Sequence, residues 1–311
     1  MTSEGLSPET RAALRDAGLE AGEVARVVTA ALEEDFRYGP DVTSAATVAG
    51  RALTADVVAR QAGVLAGVPV ALAVLDLAGR LGPCGGPCGG LAAGTSGVAD
   101  GARIAPGDAV LRVSGPATAV LGAERTMLNF LTRLSGIATA TRAWADAVAG
   151  TGAVIRDTRK TTPGLRVLEK YAVRCGGGQN HRMGLGDAAL IKDNHVAAAG
   201  GVAAAVAAVR SAAPGVALEV ECDSLAQVRE ALAAGARFLL LDNMGLDALR
   251  EAVAEARRWD GVRLEASGGL RLATAREVAA TGVDYLSVGA LTHSSPALDL
   301  GLDCADRDGA A

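Results

Sequence analysis

The sequence predicts an α/β protein whose C-terminal half is a parallel β/α barrel, and two observations carry that expectation. From residue 153 onward six short β-prone runs recur: AVIRD, AALIKD, ALEVEC, RFLLLDN, VRLEASGG and VDYLSVGA. Ala-rich stretches of helical pattern fill four of the intervals, at 196–210, 224–234, 246–258 and 272–281. Strand–helix alternation of this kind joins parallel strands through crossover helices. The second observation is chemical. Each run closes on a polar residue or a glycine: Asp157, Lys192, Glu221, Asp242, Ser267 and Gly289. In a β/α barrel the carboxyl ends of the strands converge on one mouth, and the chemistry sits there. A doubly wound open sheet reverses its strand order around one crevice and does not ordinarily mark six strand ends.

The elements ahead of the barrel follow in order. Residues 1–36 read as helical, with Pro8 and Glu9 suited to a first turn and EVARVVTAALEEDF repeating its apolar positions at helical spacing. Residues 50–116 mix short apolar runs with Gly and Pro punctuation, the pattern of a small α+β domain. Within it, GRLGPCGGPCGGLAAGTSG at 79–97 is a low-complexity loop. A long helix is expected next, with Val120, Leu121, Met127, Leu128, Leu131 and Leu134 on one stripe, a break at Ser135-Gly136, and a resumption through IATATRAWADAVAG.

Composition excludes several function classes. The 311 residues are 50% hydrophobic with a formal net charge of −5, so a large core is affordable and a general nucleic-acid or membrane-surface binder is not indicated. The five cysteines, Cys84, Cys88, Cys175, Cys222 and Cys304, are odd in number and scattered, which is no disulfide framework and fits a reducing compartment. No second Cys pair completes a metal site around Cys84 and Cys88. No apolar run approaches the roughly 20 residues of a membrane helix and the first residues lack an apolar signal core, so a soluble, cytoplasmic protein is expected.

Against that acidic background one stretch stands apart. RDTRKTTPGLRVLEKYAVRCGGGQNHR, from Arg156 to Arg182, holds five arginines and two lysines against one aspartate and one glutamate. Arginine matches pairs of carboxylate or phosphate oxygens and lysine supplies a compact point charge. Arg159, Lys160, Arg182 and Lys192, with Arg125 upstream, are therefore candidates for a polyanion site. Glu219 and Glu221 share a strand face, with Glu221 nearer the mouth, and Asp242 closes its own strand. Glu221 and Asp242 at adjacent strand ends suit Mg²⁺ or sugar hydroxyls; Glu219 and Glu265 divide evenly between that and an internal ion pair. Ser267-Gly268-Gly269 and Val288-Gly289-Ala290 end the last two strands, where backbone N–H groups commonly bind phosphate. His181, flanked by cations, is a substrate-contact candidate, His195 reads as structural and His293 is uninformative. No Ser/His/Asp order, HExxH or Walker loop is present.

Taken together, ERTMLNFLTRLSGIAT, the 156–182 block, LIKDNH, VEC, LLLDN, EASGG and DYLSVGALTHS resemble the quinolinate phosphoribosyltransferases, the carboxylating nicotinate-nucleotide pyrophosphorylases. The resemblance runs from EEDFRYGPDVTS to LDLGLD. It implies conversion of quinolinate and phosphoribosyl pyrophosphate to nicotinate mononucleotide, pyrophosphate and CO₂ in NAD biosynthesis, with Mg²⁺ and no organic cofactor. It implies an N-terminal α/β sandwich over residues 1–134, an incomplete β/α barrel over 135–290, and a tail over 291–311 returning to the first domain. It also implies at least a homodimer, or a hexamer, with the active site at the subunit interface. Matched motif by motif, Thr158, Arg159, Lys160, His181, Arg182 and Lys192 form the acid and phosphate cage. Arg125 is supplied by the neighbouring subunit, and Glu221 and Asp242 hold ribose hydroxyls and Mg²⁺. The two glycine segments bind phosphate, and Lys160, Glu221 and Asp242 are the catalytic set. Two rival readings fit less well: a relative using another aromatic acid, which the intact DTRKTTPGLR and GGGQNHR argue against, and a silent ligand-binding barrel, which would be expected to lose Lys160 or Glu221. The 79–97 segment and Gln179 depart from the family pattern without touching these motifs.

Overall fold

The structure, a computed structural model, describes residues 5–81, 91–95 and 97–305. Cys84, Cys88 and most of the 79–97 loop expectation lie outside the described residues.

In chain order the first elements are α1 (Pro8–Asp16), α2 (Ala21–Phe36), α3 (Val42–Thr47), β1 (Ala52–Ala59), β2 (Gly63–Val64), α4 (Val68–Leu81), β3 (Ala92–Thr95), β4 (Arg103–Ile104), β5 (Ala109–Pro116) and α5 (Ala117–Ala147). There follow β6 (Val154–Arg156), α6 (Arg166–Cys175), β7 (Ala189–Ile191), α7 (Asp193–Ala199), α8 (Val202–Ala212), β8 (Leu218–Cys222), α9 (Leu225–Ala233), β9 (Phe238–Asp242), α10 (Leu246–Ala256) and β10 (Arg263–Ser267). The last are α11 (Ala275–Ala279), β11 (Tyr285–Ser287), α12 (Ala290–His293) and β12 (Leu300–Cys304).

These elements form two compact units. One comprises residues 1–140, 162–176 and 295–311, the other 141–161 and 177–294. The first is built on an antiparallel sheet of order β12-β1-β5-β3. In β1, Ala55, Val57 and Ala59 are buried while the residues between them are more open, the period-two pattern of a sheet packed on one face. The helices start where their sequence dictates. Ser7 accepts from Thr10 N at 3.1 Å ahead of Pro8, and Asp41 accepts from Thr43 N and Ser44 N at 3.0 Å.

The expected break at Ser135-Gly136 is absent: α5 runs unbroken from Ala117 to Ala147. Both residues answer to packing instead. Ser135 Oγ bridges the backbone of Ala66, accepting from its N–H at 3.0 Å and donating to its carbonyl at 3.1 Å. A β-carbon on Gly136 would lie 2.1 Å from the Pro296 carbonyl oxygen, so the glycine admits a crossing backbone rather than ending a helix. The single helical pattern expected at 196–210 is likewise two helices, α7 and α8, parted by Gly200 and Gly201 with φ of 85° and 134°.

The second unit is the expected α/β core. All six predicted β-prone runs are strands, parallel throughout, in the order β6-β11-β10-β9-β8-β7. Among the described residues no ladder joins β6 to β7, so the barrel is incomplete. One face of the sheet is apolar, with Val220, Leu239, Leu241, Leu264, Ala266 and Leu286 in register and fully buried or nearly so, while the other face carries Glu219, Glu221 and Glu265. Register does the rest. Glu221 pairs with Leu240, Leu240 with Glu265, and Asp242 with Ser267, so the polar strand ends come level at one rim.

Candidate active site

At that rim lies a cavity of about 420 Å³ lined by Thr158, Arg159, Lys160, His181, Arg182, Leu190, Lys192, Glu221, Leu240, Asp242, Asn243, Ser267, Gly268, Gly269 and Ser287. A second cavity of about 200 Å³ shares Thr158, Lys160 and the 267–269 segment and adds Val288, Gly289, Ala290 and His293. Of the candidate site residues named from the sequence, Arg125, Asp157, Glu219 and Glu265 line neither: Arg125 is exposed on α5 in the other unit, and the three acids are buried. Asn243, Ser287 and His293 were not selected. The signal available for Asn243 was its place directly after Asp242 in LLLDN; His293 had none.

Loops reach the rim because buried polar groups pin them. Asp157, fully buried at the end of β6, accepts from His181 N at 2.8 Å and from Asn180 Nδ2 at 2.6 Å. Arg182 then donates through Nη1 to the Ala188 carbonyl at 2.9 Å, and Asp187 gathers the N–H groups of Met183 and Gly184. Thr292 Oγ1 donates to the Lys160 carbonyl at 2.7 Å. A β-carbon on Gly289 would approach Lys160 Cδ to 3.0 Å, so the glycine lets the lysine stem pass.

Charge at the rim is compensated only at a distance, by Asp187 and Glu219 acting on Arg182. Among the described residues no carboxylate pairs with Arg159, Lys160 or Arg182, and the Nε of both arginines is buried without an acceptor. Burial and then the neighbouring Arg159 hold the Arg182 pKa below its ordinary value. Buried donors are rarely left without partners, so unpaired ones converging on a cavity mark where an anion belongs. Lys192 differs, because its Nζ is paired with Glu221.

Immediately beneath the rim the cations do meet carboxylates, although among the described residues Arg156 Nε, Glu219 Oε1 and Glu265 Oε1 also lack a hydrogen-bond partner. His181, 8% exposed, directs Nε2 at Glu219 Oε2 (2.9 Å) and Glu265 Oε1 (3.5 Å), and Arg156 pairs with Glu265. Arg156 also lies over the rings of Tyr285 and Phe238, 4.8 and 5.2 Å from their centroids. Burial pushes Glu219 up to about 7, against the pull of Arg156 and Arg182. Burial, then Glu219, raises Glu265. The three ligand atoms lie within 4.8 Å of one another. Yet His181 Nδ1 accepts from Arg182 N at 2.7 Å, which leaves the ring proton on Nε2, where a metal would need a lone pair. The trio is a hydrogen-bonded cluster.

Glu221 and Asp242 are the better hard-cation donors. Each has one oxygen engaged, by Lys192 and by Asn243 Nδ2 respectively, and among the described residues no hydrogen bond reaches the other. Two such oxygens at neighbouring strand ends fit Mg²⁺, which takes one or two carboxylates and fills its remaining positions with phosphate and water.

A parallel barrel whose strand ends gather cations, carboxylates and bare glycine backbone around one cavity has the architecture of a small-molecule enzyme. Comparison with known proteins narrows this. The family described as quinolinate phosphoribosyl transferase matches in both parts, its N-terminal domain over residues 41–135 and its C-terminal domain over 137–303. The chain is 55% identical over 275 residues to the nicotinate-nucleotide pyrophosphorylase [carboxylating] of Mycobacterium leprae, covering 88% of this chain and 94% of that one. The structure of NadC from Streptococcus pyogenes is similar with a TM-score of 0.84 at 39% identity, covering 93% and 99% of the two chains. The nicotinate-nucleotide pyrophosphorylase from Francisella tularensis gives 0.84 at 36% identity, covering 91% and 96%. The chain belongs to the quinolinate phosphoribosyl transferase family.

Proposed function

We propose that the protein transfers the phosphoribosyl group of phosphoribosyl pyrophosphate to quinolinate with loss of CO₂, yielding nicotinate mononucleotide and pyrophosphate for NAD biosynthesis. The observation that carries the proposal is the set of unpaired cations, Arg159, Lys160 and Arg182, around a 420 Å³ cavity that also holds two carboxylates and a glycine segment. Quinolinate is a dicarboxylate and its partner carries a monophosphate and a pyrophosphate, so a site for both must offer many positive groups at once. Thr158, Arg159, Arg182 and Lys192 hold the acid and phosphates, and His181, whose two ring nitrogens are engaged within the protein, orients Arg182 through that residue's backbone N–H. Glu221 and Asp242 hold ribose hydroxyls and Mg²⁺. Ser267, Gly268 and Gly269, with Val288, Gly289 and Ala290, offer backbone to phosphate oxygens.

The chemistry asks for orientation and charge. The pyridine nitrogen attacks the anomeric carbon while pyrophosphate departs, and Lys160 with the arginines stabilises the leaving charge. Bound Mg²⁺ supplies further neutralisation of the phosphates. The cationic ring nitrogen then stabilises the carbanion left by CO₂ at the adjacent carbon, which takes up a proton from water, so no organic cofactor is needed. Purified protein mixed with quinolinate, phosphoribosyl pyrophosphate and Mg²⁺ should release CO₂ and form nicotinate mononucleotide; product from nicotinate and none from quinolinate would overturn the substrate assignment.

Arg125 stands outside both cavities, which suits contribution from a second subunit in a homodimer or hexamer. Arg125→Ala and Lys160→Ala variants, each inactive, should then regain activity on mixing. No recovery after verified subunit exchange would remove the shared site. Among the described residues no single helix is long and apolar enough to cross a membrane, and Cys175, Cys222 and Cys304 are free; both suit a cytoplasmic enzyme.

A further inference from the structure

Asn243 follows the carboxylate Asp242 at the end of β9, and its backbone is unusual. With φ of 54° it is the one non-glycine residue in the left-handed region among the described residues. Side chains pay a steric penalty there, and Asn tolerates it better than most. Such outliers persist where the surroundings fix them and are concentrated at functional sites. The surroundings here are specific. Asn243 N–H donates to the Ser267 carbonyl at 2.9 Å, fastening the residue to the end of β10. Its Nδ2 donates to Asp242 Oδ2 at 2.6 Å. Its amide also lies against the glycine segment: a β-carbon on Gly268, whose φ is 89°, would meet Asn243 Oδ1 at 2.3 Å and Cγ at 2.4 Å. Asn243, Asp242, Gly268 and Gly269 all line the main cavity.

We infer that Asn243 is a positioning residue that sets the Asp242 carboxylate and the Gly268–Gly269 backbone as one unit, and thereby the half of the site that receives the phosphoribosyl group. The inference rests on the functional reading above. The amide occupies one oxygen of Asp242 and fixes the rotation of the carboxylate, leaving the other oxygen for a ribose hydroxyl or a metal. The same amide fills the space a side chain at 268 would take, so the loop is held at the distance its glycine permits. Among the described residues the acid half of the cavity, at Arg159 and Arg182, makes no hydrogen bond with this amide.

Two substitutions separate this role from a conformational one. If Asn243 were present only because Asn tolerates a positive φ, glycine would serve as well or better. Asn243→Gly keeps the backbone and deletes the amide. Asn243→Asp keeps the shape but turns the donor into a second carboxylate beside Asp242. We expect Asn243→Gly to raise KM for phosphoribosyl pyrophosphate about tenfold, the loss typical of a hydrogen bond to a charged group. KM for quinolinate should stay within about twofold and Tm should not fall. Asn243→Asp should be at least as damaging to phosphoribosyl pyrophosphate use, because two adjacent carboxylates repel. A glycine variant with both KM values within twofold of the parent overturns the inference, and so does one that loses both substrates equally. If the parent itself turns over no quinolinate, the functional reading fails and this inference fails with it; normal parent turnover beside an unaffected glycine variant removes the inference alone.

Discussion

The rim of the barrel and the layer immediately beneath it are built from the same residue types and treat charge differently. Beneath, Arg156 pairs with Glu265, and His181 is held between Glu265 and Glu219. At the rim Arg159, Lys160 and Arg182 have no carboxylate partner among the described residues. Folding alone would favour the first arrangement, since buried charges without partners are costly. The contrast separates cations that serve the fold from cations that wait for a ligand, a separation that residue type and sequence position do not make.

The largest effect that breaks the comparison should come from the rim. Arg182→Ala is expected to lower kcat/KM by about 10²–10³-fold, the usual cost of removing one preorganised charge-stabilising donor, while Tm changes little, because burial and Arg159 disfavour the cation and the bond to the Ala188 carbonyl favours it. Steady-state kinetics beside a thermal melt checks both halves. Beneath the rim the signs reverse. Arg156→Ala leaves Glu265 buried without its cation and should cost about 3 kcal/mol of stability in a denaturant titration, in the range for breaking a buried pair.

A smaller effect is the pH dependence of stability. Glu219 holds its proton up to about 7 in the folded protein against an ordinary 4.5. The folded state therefore binds more protons than the unfolded one between those values, so the contribution is fully present below about 4.5 and is lost as pH rises through about 7. Melts of Glu219→Gln should show a flatter profile over that window than the parent. The smallest effect sharpens the scale: Arg250→Ala removes an exposed ion pair to Asp247 at 2.7 Å and should change stability by less than about 0.5 kcal/mol.

Much of this was legible in the sequence. Five of the six strand ends named there, Lys192, Glu221, Asp242, Ser267 and Gly289, line the cavities, because strand periodicity and polar termini are local signals that parallel register then brings level; Asp157 is buried and pins a loop instead. The cation-rich block was only partly legible. Arg166, Lys170 and Arg174 belong to α6, and Arg174 donates to the Ala17 carbonyl rather than facing the cavity. Glu169 of the same block pairs with Arg133, far away in sequence. Spacing cannot separate these from Arg159 and Arg182. Ser135-Gly136 has the local pattern of a helix break, but the need for glycine comes from Pro296, again a distant partner. Asn243 was missed because a left-handed backbone leaves no mark on a residue that is equally at home in a loop.

The most direct test of the unpaired rim is equilibrium binding of quinolinate against nicotinate, which differ by one carboxylate. Unpaired arginines awaiting two carboxylates predict that quinolinate binds at least about tenfold tighter, the value of one further charge-assisted hydrogen bond. Equal affinity for the two acids would contradict the account.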